Sequence, residues 1–354
     1  MNASNHNQVI SIEQKIGHLV MTGFRGSSID NFSPITNSIK KFNLRNIWLV
    51  DNDKTADSII GNIQSAAQLK KLTSDLQTLS GNSLFLTIDA EGGEVIRLKE
   101  KYGFPKFQSA QYFGELNDLS KTRENANNIA TILRECGINM NLAPVVDINV
   151  NPNCPIIGLK GRSFSSNPEV VFNNAREFIL AHRENNIGTC LKHFPGHGSS
   201  LHDSHNGFVD ISNQWTEIEL FPYKLLIKEG LVDAIMTAHI FNKNLDDKFP
   251  ATLSKKIITG LLREKLCFNG VIFSDDLMMK AITDHYSFEE AISLALNAGV
   301  DIIIQGNNVD FNSELSDKTI TAIINLVVQG KLTEQRIDES FKRIFQLKHN
   351  LGLF

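Results

Sequence analysis

The chain has 354 residues, with 35 Lys plus Arg against 39 Asp plus Glu, a formal net charge of −4 and 42% hydrophobic residues. This near-balance, without a long run of like charge, excludes a polybasic surface for nucleic acid or anionic membrane, and the hydrophobic content excludes global disorder. The length would suit two or three ordinary domains, but an α/β barrel uses more than about 200 residues as one domain.

Eight short apolar runs recur in chain order: His18–Phe24, Asn46–Val50, Leu84–Ile88, Met140–Val145, Thr189–Lys192, Ala234–Thr237, Val271–Phe273 and Asp301–Ile304. Between them lie stretches with apolar residues at helical spacing: Thr55–Leu79 (Ile59, Ile60, Ile63, Ala66, Ala67, Leu69), Arg123–Cys136, Glu169–Asn185, Trp215–Glu229, Ser254–Leu266, Phe288–Ala298 and Ser316–Gln329. A closing helix is expected over Thr333–Asn350, capped by Thr333, with a stripe of Ile337, Phe341, Ile344, Phe345 and Leu347. Continuous apolar strands alternating with helices point to a parallel sheet covered on both faces. Eight units without a Gly-rich dinucleotide fingerprint favour an α/β fold of the (β/α)₈ TIM-barrel type over a doubly wound sheet, as a single domain over residues 1–354 without a second domain.

Cys136, Cys154, Cys190 and Cys267 form no CxxC pair, which suits reduced thiols in the cytoplasm better than a disulfide framework. Met1 to Gln8 lacks the basic and apolar regions of a secretion signal, and no stretch is long and apolar enough to span a bilayer.

In a (β/α)₈ barrel the chemistry gathers where strands end. The residues just past the apolar runs are Asp51, Asp89, Asp147, Lys192 with His193, His239, and Asp275 with Asp276. Asp51 and Asp147 are expected to cap helices or to support other groups. Four of the ten histidines fall between His193 and His205, yet neither HExxH nor paired cysteines accompany them, so no metal is expected. Asp203 stands two residues from His205 and can orient its imidazole for proton transfer on a Gly-rich loop. The pair Asp275-Asp276 at the tip of an apolar strand fits metal ligands, an acid/base pair, or a nucleophile beside a helix cap. Asp89, Arg97, Arg162, Lys192 and His193 supply the acceptors and donors needed to grip a polyol. No P-loop, GxSxG elbow or SxxK is present.

The segments Lys192-His193-Phe194-Pro195-Gly196-His197-Gly198, Asp203-Ser204-His205 and Phe273-Ser274-Asp275-Asp276-Leu277 together resemble glycoside hydrolase family 3, in particular its single-domain β-N-acetylglucosaminidases (β-N-acetylhexosaminidases) of peptidoglycan recycling. The resemblance runs from Ile16-Gly17 to Ala298-Gly299-Val300-Asp301. It implies Asp275 as nucleophile, His205 as general acid/base with Asp203 as its partner, and Asp89, Arg97, Arg162, Lys192 and His193 as the residues that hold a terminal N-acetylglucosamine. After the Asp the usual pattern is Gln-Glu-Gly-Gly-Arg; here Ala90 and Glu94 replace the Gln and the Arg, and the loop Gly158–Phe164 is longer than usual.

The expected reaction is retaining, exo-acting removal of β-linked N-acetylglucosamine from soluble muropeptides by double displacement, in the cytoplasm, by a monomer without a cofactor. The alternatives are a family 3 β-glucosidase or β-xylosidase, a metal-dependent hydrolase on the same barrel, and a catalytically dead sugar-binding module.

Overall fold

A computed structural model describes residues 10–51, 61–308 and 311–353. Eight parallel strands close into a barrel: β1 (Val20–Thr22), β2 (Asn46–Trp48), β3 (Phe85–Ile88), β4 (Met140–Asn141), β5 (Gly188–Phe194), β6 (Ala234–Thr237), β7 (Val271–Asp276) and β8 (Ile302–Gln305). Each strand pairs with its sequence neighbours, and β8 closes the ring on β1 by placing Ile303 against Val20 and Gln305 against Thr22. Helices cover the outside, so the strands read as unbroken apolar runs rather than alternating ones. Only Trp48 and Asp275 among the barrel-strand residues escape full burial.

The expected strands are all present. β5 and β7 run further than their apolar runs, β5 taking in His193 and β7 Asp275 and Asp276, so these side chains, with Lys192, stand on strand tips instead of loops. β1 is shorter than His18–Phe24 because a small helix, Ile12–Gly17, ends at His18. A reciprocal Ser11–Gln14 capping box starts that helix. Six residues are too few to register as a periodic pattern.

The helices Leu119–Glu135, Pro168–Glu184, Phe288–Ala298 and Leu315–Val328 lie where periodicity placed them. The first part of Thr55–Leu79 lies outside the described residues, and the remainder is the helix Ala66–Ser80. The stretch expected as one helix from Trp215 is a 3₁₀ turn, Glu217–Leu220, leading into the helix Phe221–Lys228. Pro222 sits in the first turn of that helix, where its missing N–H costs nothing. Lys256–Lys265 is helical as expected but wound as a π-helix.

The loop after β3 is a tight hairpin in which Ala90–Gly92 pairs antiparallel with Val95–Ile96. Gly92 and Gly93 turn it with φ of 101° and 61°, and a Cβ on Gly92 would stand 2.2 Å from the Gln108 carbonyl oxygen. The turn brings the chain back on itself, and the Arg97 N–H donates to the Asp89 carbonyl at 3.0 Å.

The opposite end of the barrel is sealed by charge. The helix Glu334–Asn350, capped by Thr333, sends Arg336 and Arg343 to Asp301 at 3.3 and 3.1 Å. Arg263 of the π-helix and Ser340 reach the same carboxylate at 2.5 and 2.7 Å, and the Ile272 N–H completes the set at 3.0 Å. Asp301 is fully buried just before β8. Removing it leaves three guanidinium groups competing in a poorly hydrated site, so Asp301→Ala should cost about 3–5 kcal/mol of unfolding free energy in urea titration. Because the site lies at the end of the barrel away from the chemistry, turnover per folded molecule should be unchanged.

Candidate active site

The C-terminal ends of the strands surround a cavity of about 490 Å³. Asp89, Arg97, Arg162, Lys192, His193, His205 and Asp275 all line it, and Asp203 stands behind His205. Every side chain proposed from sequence for binding or chemistry is therefore at one site.

The binding wall is an alternating array of charges. Lys192 is buried at the tip of β5, and its ammonium bridges Asp89 at 2.8 Å and Glu91 at 2.7 Å. Arg97 meets the other oxygen of Asp89 at 3.2 Å, and the Trp48 indole N–H donates to that oxygen at 3.1 Å. Arg162 forks onto Glu91 with two bonds of 2.8 Å, the geometry a guanidinium makes with a carboxylate. Burial alone would push both carboxyls up, but Lys192 with Arg97, and Arg162 with Lys192, hold Asp89 and Glu91 below the usual range. The same carboxylates raise Lys192 against its own desolvation. Asp51 supports this array: it binds Lys99 at 2.5 Å and faces Arg97 at 3.7 Å.

Glu91 was not singled out by the sequence reading. The available signal was the two-residue period of a strand: with Ala90 turned away, Asp89 and Glu91 share a face of the hairpin.

Asp147 also acts as a support. Its carboxylate accepts the His193 Nδ1–H at 2.7 Å and the backbone N–H of His193 and His197 at 3.1 and 2.8 Å. A carboxylate at Nδ1 fixes the proton there and leaves Nε2 as the free lone pair, which the Arg162 guanidinium approaches at 3.4 Å.

The two adjacent aspartates at the end of β7 differ completely in their bonding. Asp276 accepts the N–H of Gly306 at 2.8 Å and of Met278 at 3.0 Å, tying the tips of β7 and β8 together. Burial raises it to about 6. Asp275 accepts only the Asp276 N–H, at 2.8 Å, and has no ion pair with Lys or Arg among the described residues. Although burial opposes ionisation, the nearby His239, His193 and His205 imidazoles hold its carboxyl below the usual range.

His205 stands on the rim, its side chain 46% exposed, with Nδ1 2.7 Å from the Asp203 carboxylate, which also accepts the His205 N–H at 2.9 Å. Against the upward push of burial, these bonds lower Asp203 to about 2, so it stays ionised and keeps the proton on Nδ1. Nε2 is left to exchange a proton in the cavity.

The remaining histidines of the segment are separately engaged. His197 is buried and binds the hydroxyls of Ser200 and Ser204, and burial lowers it to about 4. His202 is exposed. Below them the loop is pinned from outside the motif: the Trp215 indole donates to the Pro195 carbonyl at 3.1 Å, and Glu219 accepts the Gly198 N–H at 3.2 Å.

A (β/α)₈ barrel with its ionisable groups collected at the strand C-termini is the class in which one scaffold carries many chemistries through its loops. Residues 11–347 match the family model of the Glycosyl hydrolase family 3 N terminal domain, and the chain belongs to that family. It is 33% identical over 320 residues to "Beta-hexosaminidase A" of Pseudoalteromonas piscicida, covering 82% of this chain and 52% of that protein. The chain thus spans about half the length of that relative. It is 35% identical over 266 residues to a "Beta-hexosaminidase" of Neisseria meningitidis, covering 72% of each. The structure of a glycoside hydrolase family 3 beta-N-acetylglucosaminidase from Paenibacillus sp. superposes with a TM-score of 0.88 at 33% identity, covering 98% of this chain and 63% of that one.

Glu219 yields a pH test of the pinned loop. It is buried, one of its oxygens has no hydrogen-bond partner, and burial raises it from 4.5 to about 8. A folded value above the unfolded one means its contribution is fully present below pH 4.5 and is lost as pH rises through about 8. Glu219→Gln, which imitates the neutral acid, should flatten the decline in urea midpoint over this range and stabilise the protein at its alkaline end. The gain should be a few kcal/mol at most, since each pK unit is worth about 1.4 kcal/mol. Parallel pH–stability curves for the two proteins would show that the carboxyl is not the group responsible.

Proposed function

We propose that this chain is a retaining exo-β-N-acetylglucosaminidase that releases terminal β-linked N-acetylglucosamine from soluble muropeptides. The observation that carries the reading is Asp275: an ionised carboxylate, with no ion pair to Lys or Arg among the described residues, facing the same cavity as the binding wall and the His205–Asp203 dyad. The names of its relatives support a hexosamine as the sugar. Asp89, Arg97, Arg162, Lys192 and His193 hold the terminal sugar, offering acceptors and donors already in place for its hydroxyls.

An oxygen of Asp275 attacks the anomeric carbon as the glycosidic C–O bond breaks, and His205 Nε2 gives its proton to the departing oxygen. The product is a glycosyl ester on Asp275. Neutral His205 then takes a proton from water, the water oxygen bonds to the anomeric carbon, and the ester breaks to return the Asp275 carboxylate with net retention. His205 stands in for the second carboxyl of the common scheme. A neutral imidazole does not repel the approaching nucleophile as a second carboxylate would. We place the reaction in the cytoplasm, carried out by a monomer; the four unpaired cysteines, three of them buried, suit a reducing compartment.

An aryl β-N-acetylglucosaminide should be hydrolysed and an aryl β-glucoside hydrolysed far less. Asp275→Asn should lose turnover while keeping fold and sugar affinity, and a 2-fluoro sugar should label Asp275. Label on Asp276, or inversion seen by proton NMR, would overturn the mechanism.

His205→Ala separates acid catalysis from binding. A nitrophenolate leaves without a proton and a sugar hydroxyl does not, so the variant should lose about 10²- to 10⁴-fold on a disaccharide. On the aryl substrate it should show a burst followed by slow turnover that azide rescues. Equal losses on both substrates with no burst would make His205 a binding residue.

A further inference from the structure

Asp89 and Glu91 are the acidic part of the binding wall, and the residue between them, Ala90, is fully buried. The Arg97 N–H donates to the Asp89 carbonyl, so residues 89 and 97 form a hydrogen-bonded pair of the hairpin. Ala90, opposite Ile96, therefore falls in the next, non-hydrogen-bonded pair, and its own N–H and C=O point away from the hairpin. Asn141 meets both. Its amide oxygen accepts the Ala90 N–H at 3.0 Å, and its amide nitrogen donates to the Ala90 carbonyl at 3.0 Å. The side chain does the work of a strand residue just beyond the last β3–β4 pair, Ile88 with Asn141.

A second bond fixes the orientation of this amide. His182, buried in the last turn of the helix Pro168–Glu184, accepts the remaining Asn141 N–H on Nε2 at 3.0 Å. Its Nδ1 faces the Phe178 carbonyl at 2.9 Å, so the ring proton sits on Nδ1 and the lone pair on Nε2. Phe178 also stacks on the imidazole with ring centroids 4.2 Å apart, and burial lowers the group to about 4, which keeps it neutral. The amide oxygen and both amide hydrogens of Asn141 are thus engaged. Neither Asn141 nor His182 lines the cavity.

We propose that Asn141, oriented by His182, is a positioning residue for the sugar-binding wall: it fixes the backbone at Ala90 and so turns Asp89 and Glu91 together towards Lys192. The inference rests on the glycosidase reading above and adds two residues from outside the cavity. Attraction to an ammonium changes slowly with distance and angle, so Lys192 by itself would tolerate a range of carboxylate placements. A backbone clamp is directional and selects one of them. Asn139, two residues earlier, provides an internal control. It makes the same pair of bonds, to the Leu86 N–H at 3.0 Å and the Leu84 carbonyl at 2.9 Å, but at the start of β3, away from the wall.

The test compares Asn141→Asp, His182→Phe and Asn139→Asp with the wild type on an aryl β-N-acetylglucosaminide. For each protein KM, the inhibition constant of free N-acetylglucosamine and the urea midpoint are measured, with kcat referred to the fraction of sites labelled by a 2-fluoro sugar. Asn141→Asp keeps the acceptor and loses both donors; His182→Phe keeps a ring against Phe178 and removes only the imidazole's hydrogen bonds. In both, KM and the inhibition constant should rise together by about five- to fiftyfold, the effect of leaving a buried polar group unmet. Turnover per labelled site should stay within about threefold, as expected when binding shared by ground and transition states is lost. His182→Gln, whose amide oxygen can accept the same N–H, should recover most of the loss. Asn139→Asp should lower the urea midpoint and leave KM unchanged. An unchanged KM in Asn141→Asp and His182→Phe, or an equal rise in Asn139→Asp, would overturn the proposal; if Asn141→Asp does not fold, His182→Phe decides alone. A wild type inert on the aryl substrate would instead overturn the glycosidase reading, and this inference with it.

Discussion

The site is organised around one buried ammonium. Lys192 lies near the end of a strand enclosed on both faces, and dehydrating its charge costs several kcal/mol unless counter-charges surround it. One carboxylate would neutralise it but leave donors unmet; two, Asp89 and Glu91, satisfy it at 2.8 and 2.7 Å. Each of these is itself buried and needs a further cation, which Arg97 and Arg162 supply. Arg97 in turn faces Asp51, and Asp51 draws in Lys99. Charge thus alternates from the barrel axis to the rim, and no member can be removed without exposing a desolvated neighbour. Such an array is rigid before any sugar arrives, so the sugar meets donors and acceptors whose ordering has already been done during folding.

The opposite wall obeys a different constraint. A nucleophile has to be ionised, yet an ammonium or guanidinium bound to it would blunt its attack. Imidazoles resolve the conflict. His239 is fixed between the Thr252 hydroxyl and the Asp276 carbonyl, and His193 is fixed by Asp147; both bias Asp275 towards its ionised form without taking up its oxygens. The neighbouring Asp276 accepts two backbone N–H groups on its Oδ1, and its other oxygen leaves no room at Gly306 for any side chain: a Cβ there would stand 2.2 Å from it. Two identical residues side by side are thus separated into a reactive group and a fastener by the hydrogen bonds each accepts.

Much of this was legible in the sequence because strands of a parallel barrel are apolar throughout and helices between them carry a strong period. All eight strands were placed, and with them the strand ends where Asp89, Lys192, His193 and Asp275 stand. Less legible were contributions that depend on chain segments meeting from far apart or on elements too short to show a period. Glu91 belongs to a hairpin of three and two residues. Glu219 lies more than twenty residues past the loop it holds and looks like any acidic residue at the start of a helix. The short helices Ile12–Gly17 and Ala110–Leu116 are defined by their caps more than by an apolar stripe. Asp147 is a further case: an aspartate after a strand reads equally as a cap or as a support, and only the position of His193 decides between them.

Asp301 and Asp275 show how the barrel separates stability from chemistry. Both are aspartates at strand ends, and burial opposes ionisation of both. Asp301 precedes its strand, at the closed end, where three arginines, a serine and an amide exhaust its capacity to accept hydrogen bonds. Asp275 is the last residue but one of its strand, at the open end, where imidazoles keep it charged and one oxygen accepts no hydrogen bond among the described residues. A carboxylate with every lone pair engaged can only hold structure. One with an unengaged lone pair in a water-accessible cavity stores the possibility of a new bond, and the fold can carry it because the fully bonded cluster at the other end, together with the Lys192 array beside it, holds the strands in place.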